Sequence, residues 1–299
     1  FGHNYVHYLR FSENGEKLLF CDWDGVVSLW AWQEGLTTAS SPPTADVLRT
    51  AAFLSPTKLL VGGEKGLWLY DNRRLWEDAS AGIWRQLDGA EDGGRFSAVA
   101  ASPGDYGLAA QAGRGGPRLL RVDAGSGEIT HRGRLPAPTL DAFANYMAIS
   151  EDGRIRALCL GTGELVTSLG LVAMAHPGGA YHCEFLAPDS ALATCGNDGS
   201  LAVWDPSSGL EHRLGLPLGG AAADYLAFSA CRQLLAVGHR NGAVSLVQLE
   251  GRRLQYIGDF HPSVRGWAIS MAFSDCGHYL AVAGRGPRDG SPRCTAVAC

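Results

Sequence analysis

Three groups of residues in this sequence have the types and spacing to do chemistry. His3 and His7 stand four apart, a start for a metal site if further ligands joined them. Asp22 and Asp24 flank Trp23, a carboxylate pair of the kind that acid–base catalysis uses. His7 or His182, with Glu184, Asp224 and Tyr225, would have to converge to make a hydrolytic site. No catalytic framework accompanies them. The sequence has no G-x-S-x-G elbow, no H-E-x-x-H, no phosphate-binding loop and no G-x-G-x-x-G opening a helix. Asp is in any case common in tight turns, and two histidines on one strand need more ligands to hold a metal. The expectation is therefore no catalytic residue, no metal and no cofactor.

What positions these residues is a repeated hairpin. LATCGNDGSLAVWDPSSG, from Leu192, reads as two short apolar strands, 192–195 and 200–204, joined by Asn-Asp-Gly. Gly tolerates positive φ and Asn or Asp the left-handed region, which suits a tight turn. Relatives follow the same grammar: LLFCDWDGVVSLWAWQEG from Leu18, LLVGGEKGLWLYDNRR from Leu59, YMAISEDGRIRALCLGTGE from Tyr146 and LAVGHRNGAVSLVQLEG from Leu235. Looser copies start at Leu108 and Tyr279. Aligned second hairpin strands end at Trp30, Tyr70, Val122, Leu158, Trp204, Val247 and near Val297. Phe11-Ser12, Phe53-Leu54, Phe185-Leu186, Phe228-Ser229 and Phe273-Ser274 mark the end of a preceding apolar run. Seven units of three to four short strands predict an all-β repeat architecture, in which blades stacked in a ring cover each other's faces.

These residues resemble the WD-repeat β-propellers. Trp204-Asp205 closes the best copy as the family's repeats close, and His176 sits where those repeats carry Gly-His; His3 and His261 hold that place in the first and seventh copies. The resemblance implies a seven-bladed β-propeller of four-stranded antiparallel blades, a single domain over 1–299. The blades fall at about 2–44, 45–90, 94–135, 138–170, 176–216, 222–259 and 261–299. The last blade is expected to lack its outer strand within these residues, closed either by chain beyond them or by a strand from a partner. The resemblance also implies a buried structural network of His176, Thr194, Asp198 and Trp204. A neutral imidazole donates at one nitrogen and accepts at the other, so it can link carboxylate to hydroxyl to indole. No other copy is complete: Val61 and Tyr70 in the second and Val237 and Val247 in the sixth imply apolar packing there. Arg73-Arg74 lacks the flanks of the family's phosphoinositide-binding motif.

Composition agrees with a packed globule: 46% hydrophobic and 18% charged over 299 residues. No run approaches a membrane span. The net charge of −5 argues against a general nucleic-acid binder. The eight cysteines show no CxxC pair, which suits a reduced intracellular protein, cytoplasmic or nuclear. Segment 34–45 reads as a flexible loop, and 74–95 as holding the second blade's outer strand.

In a propeller, the turns between second and third strands share one face with the loops entering the first strands. That face should collect Trp23, Arg114, His239, Arg240, Arg265, Trp267, Arg285 and Arg288, with Glu64, Lys65 and Glu151 beside them. Arg and Trp dominate interaction hot spots. The reading favoured by the sequence is a non-catalytic scaffold, a subunit of a larger complex, docking a peptide or acidic segment of a protein partner on this face. The alternative is a nucleic-acid or chromatin reader using the arginine-rich sector.

Overall fold

The computed structural model describes residues 6–12, 14–31, 34–43, 46–89, 95–102, 106–112, 117–134, 143–186, 191–218, 221–251, 253–262, 267–284 and 294–298. Among them, regular structure is strand apart from two single 3-10 turns, Ala79–Ala81 and Pro206–Ser208. The first blade is β1 (Val6–Phe11), β2 (Lys17–Asp22), β3 (Val27–Ala31) and β4 (Leu36–Ser40). The second is β5 (Leu48–Ser55), β6 (Lys58–Gly63), β7 (Gly66–Asp71) and β8 (Ile83–Gly89). The third is β9 (Phe96–Ser102), β10 (Tyr106–Gln111), β11 (Arg118–Asp123) and β12 (Ile129–Arg134). The fourth is β13 (Ala144–Ile149), β14 (Arg156–Leu160), β15 (Glu164–Thr167) and β16 (Val172–Met174). The fifth is β17 (Ala180–Leu186), β18 (Ala191–Gly196), β19 (Ser200–Asp205) and β20 (Glu211–Pro217). The sixth is β21 (Ala223–Ser229), β22 (Leu234–His239), β23 (Val244–Glu250) and β24 (Arg253–Phe260). A partial seventh sheet holds β25 (Ala268–Phe273), β26 (Tyr279–Gly284) and β27 (Cys294–Ala298).

Each sheet is antiparallel in simple chain order, so the first strand of each is innermost. The inner strands meet in sequence round the axis, and β25 returns to β1. The apolar core follows the same plan, with one cluster at every interface between neighbours. Leu19, Leu29, Leu48 and Val61 join blades one and two. Val6, Leu9, Leu18 and Ala281 join the seventh sheet to blade one. That last cluster closes the wheel. Burial is deepest at the second strands and falls toward the rim: β18 is buried at every position, whereas the outer strands β8 and β24 are mostly exposed. Burying a Leu side chain contributes about 1.5–3 kcal/mol, so the interfaces between sheets carry the stability that no single sheet could supply.

Three readings of the sequence change. Six blades are complete with four strands, and the seventh sheet has three among the described residues. Segment 34–45 is not simply a loop, because Leu36–Ser40 pairs with β3 as the first blade's outer strand. Thr37 and Thr38, β-branched residues that suit a strand, lie in it. The fourth copy is displaced by one strand. Tyr146–Ile149 lies on the inner strand and Leu158 on the second, so Glu151 belongs to the turn between first and second strands, on the opposite face.

The turn itself explains the misreading. Ser150-Glu-Asp-Gly153 closes with Gly153 N–H to Ser150 O at 2.8 Å and Ser150 N–H to Ile155 O at 2.9 Å. Ser12-Glu-Asn-Gly15 and Ser274-Asp-Cys-Gly277 have the same backbone bonds in the first and seventh sheets. Gly153 sits at φ +71°, where a side chain would be strained. A Gly-ended turn of this kind mimics the signal of the hairpin between second and third strands.

Candidate protein-interaction face

The face is held up from beneath by polar networks inside the blades. In blade five, β18 and β19 place Thr194 and Trp204 side by side, and the loop before β17 brings His176, 0% exposed, onto them. His176 Nδ1 is 2.8 Å from Asp198 Oδ1 and Nε2 is 2.8 Å from Thr194 Oγ1; Trp204 Nε1–H donates to the same Oγ1 at 2.8 Å. An ionised carboxylate only accepts, so Nδ1–H donates to Asp198 and Nε2 accepts from the Thr194 hydroxyl. Ser200 Oγ adds a bond to Asp198 at 2.9 Å. Burial opposes ionisation of Asp198, and the bonds from His176 and Ser200 outweigh it, holding the carboxyl below its ordinary range.

Two further blades have networks that the aligned positions do not reveal. In blade two, Trp68 Nε1–H donates to Asp46 Oδ2 at 2.8 Å, and Lys65 N–H to Asp46 Oδ1 at 2.9 Å. Asp46 takes the place of a histidine, and the indole comes from two residues before Tyr70. In blade six, His239 Nε2 is 2.8 Å from Ser245 Oγ, which donates to Asp259 Oδ1 at 2.6 Å. Neither blade relies on apolar packing alone. His239, expected to face a partner, is 2% exposed and is turned into the blade. It ends β22, and its Nδ1 lies 3.2 Å from the Ala221 carbonyl.

On the face above, Arg240 is the best-defined group. It leads the turn after β22, and its Nε–H lies 3.0 Å from both oxygens of Asp224. Its guanidinium carbon lies 4.5 Å from the ring centre of Tyr181 and 5.1 Å from that of Trp267. Tyr181 comes from blade five, Arg240 and Asp224 from blade six, and Trp267 from just before β25. One cation thus links three neighbouring sheets by cation–π contacts. Burial pushes the Asp224 carboxyl up, and Arg240 pulls it back only in part. Trp267 leaves 44% of its surface exposed.

A second cluster lies across the ring. Trp23 stacks on His7 with centroids 5.1 Å apart, and Arg49 lies 4.7 Å from the Trp23 ring. Arg49 donates to Glu64 through Nε at 2.7 Å, and Arg95 reaches Glu64 at 3.9 Å. Arg114, Arg265, Arg285 and Arg288 lie outside the described residues, as does His3.

Comparison with known proteins now bears on the whole. The family model "WD domain, G-beta repeat" matches residues 1–31 and 163–205. Those two segments match the WD repeat, and the fold is that of a β-propeller. The solved structure "Crystal structure of RRP9 WD40 repeats" superposes with a TM-score of 0.74 at 15% identity, covering 100% of this chain and 95% of that one. "Structure of U3-55K" gives 0.72 at 16% identity, covering 97% and 92%. A chain of "Crystal Structure of Mitotic Checkpoint Complex" gives 0.74 at 16%, covering 94% and 87%. Identities this low speak to the fold. No curated protein matches the chain in sequence.

The remaining chemical candidates of the propeller fall apart or move elsewhere. Asp22 Oδ1 accepts from Val26 N–H at 3.0 Å, a turn contact. Among the described residues no three His, Cys, Asp or Glu side chains are grouped to hold a metal, and no helix is long and apolar enough to cross a membrane. His182, Glu184 and Tyr225 do come together, in the axial cavity, whereas Asp224 is engaged by Arg240. Sequence reasoning missed Tyr181, Arg49 and the Asp224 clamp on this face. Tyr181 was legible in principle: it is the second residue of an inner strand, next to the loop that enters it.

Proposed function

We propose that this propeller is a non-catalytic scaffold, a subunit of a larger assembly, which docks a peptide or acidic segment of a protein partner on the face bearing Trp23, Arg240 and Trp267. The observation that carries this reading is Arg240 held over two aromatic rings, with Trp267 still 44% exposed. A preorganised cation beside a large half-exposed ring is the kind of group that dominates interface energies. WD-repeat propellers generally work as interaction scaffolds, and one chain of the same fold comes from a structure of the Mitotic Checkpoint Complex. The partial sheet is read as the seventh blade of a single domain, and the site of action as intracellular, cytoplasmic or nuclear. Arg114, Arg265, Arg285 and Arg288 are proposed to extend the basic sector.

The described arginines favour protein over nucleic acid as partner. Arg240 is paired with Asp224, and Arg49 and Arg95 share the single carboxylate of Glu64. Phosphate binding needs several uncompensated cations and weakens steeply with salt. The test is recovery of partners by the wild-type chain against Trp267→Ala and against the pair Arg285→Glu, Arg288→Glu. Loss of partners with unchanged melting supports the docking face. Undiminished recovery by both variants removes it.

A further inference from the structure

The inner strands enclose an axial cavity of about 690 Å³, within the range of small-molecule sites. It is lined from all seven sheets and opens on the face opposite Arg240, where first and second strands turn. Strand direction sets the depth of its residues. Tyr8, Tyr146, His182 and Tyr225 lie inside, Glu184 comes next, and Phe53, Phe185, Phe228 and Phe273 stand near the mouth.

The inner residues form an aromatic box. His182 lies between Tyr146 and Tyr225, with ring centres 3.6 and 4.1 Å apart, and the two tyrosines meet edge to face at 6.1 Å. His182 is 2% exposed, and neither of its ring nitrogens has a partner within the protein; Oε2 of Glu184 has none either. A buried polar group without a partner costs about 1–3 kcal/mol, so a wall that carries three such atoms is shaped for something that satisfies them. Carboxyl groups outnumber cations along the wall: Glu184 inside, Glu151 and Asp275 at the mouth, against Arg10 alone, which lies 4.6 Å from the Phe53 ring.

We propose that this cavity binds a small organic ammonium ion, its head held by Glu184 and the rings of Tyr8, Tyr146 and Tyr225, its apolar tail among the mouth phenylalanines. Aromatic faces attract cations, a carboxylate supplies the counter-charge, and His182 offers an acceptor nitrogen to one N–H. The site is separate from the docking face and does not depend on it. Burial raises the Glu184 carboxyl to about 8, opposed by a bond from the Phe228 backbone. Tyr146 and Tyr225 face it from the neighbouring strands, with Tyr8 and Arg10 on β1; burial raises all three tyrosines, so they stay neutral. At neutral pH, binding a cation therefore displaces a proton from Glu184.

The probe is 2-phenylethylammonium, titrated calorimetrically into the wild-type chain beside the neutral 2-phenylethanol and the anionic 3-phenylpropionate. The expected result is one saturable site, at least tenfold tighter for the ammonium than for either analogue. Affinity should rise between pH 6 and 8 and then level, with proton release visible as a dependence of heat on the buffer. Glu184→Gln should weaken the ammonium at least tenfold. If that variant does not fold, the wild-type pH profile and proton release decide the matter. Absence of saturable binding, a preference for either analogue, or a flat pH profile would overturn the proposal.

Discussion

The blade-five network is where a single atom matters most. His176 has a partner at each nitrogen, and Thr194 Oγ1 stands between imidazole and indole. Replacing His176 by Ala strands Asp198 and Thr194 and leaves a cavity, so a loss of about 2–4 kcal/mol is expected, read as a lower melting temperature. Trp204→Phe keeps most of the volume and removes one bond, so its loss should be nearer 1 kcal/mol. The pH dependence of stability is a second expectation at this scale. Burial lowers His7 and His182 from 6.5 to about 3, so below pH 6.5 the unfolded chain binds protons that the folded one refuses. Stability then falls with acid. Glu184 does the opposite: its folded value of about 8 exceeds the ordinary 4.5, so stability falls as pH rises through that window. Two protons against one place the maximum near pH 6.5. Denaturant melts across pH 5–9 should show that maximum, and Glu184→Gln should flatten its alkaline side.

Strands and turns show how much was legible. Turn glycines and apolar runs mark the hairpins, so the hairpin strands of blades one, two, five and six fall where the pattern puts them, while the first blade's outer strand, Leu36–Ser40, escapes it. The fourth copy slips because Ser150–Gly153 and a second-to-third-strand turn share the same glycine signal; only pairing with neighbouring strands separates them. The networks of blades two and six were hidden for another reason. The polar partners moved, to Asp46 and Trp68 in one and to His239, Ser245 and Asp259 in the other. Asp46 and Asp259 lie outside the aligned hairpins, and a reading that aligns fixed positions sees only Val61 and Val237. Glycine is required where a network presses on a strand. A Cβ on Gly196 would lie 2.4 Å from the His176 Cβ and 2.3 Å from the Gly179 carbonyl oxygen. Gly196→Ala should therefore destabilise the blade by about 1–3 kcal/mol. Gly89→Ala is the control for the lost backbone freedom alone, since it has no positive φ and its Cβ would meet nothing within 4 Å.

The whole molecule is a wheel whose stability lies between its sheets and whose two faces are set by strand direction. Sequence could state the ring, because short hairpins with apolar faces have few other ways to be covered. It could not state which arginines are clamped, because Asp224, Tyr181 and Trp267 approach Arg240 from three different sheets. The axial cavity was hidden likewise, since its wall draws on residues spread from Tyr8 to Asp275. The docking face is the central claim about what this wheel does. Affinity purification with mass spectrometry, comparing the wild-type chain with Trp267→Ala at matched expression and melting temperature, tests it most directly. Proteins recovered with the wild type should be depleted at least fivefold from the variant; an unchanged set would contradict the account.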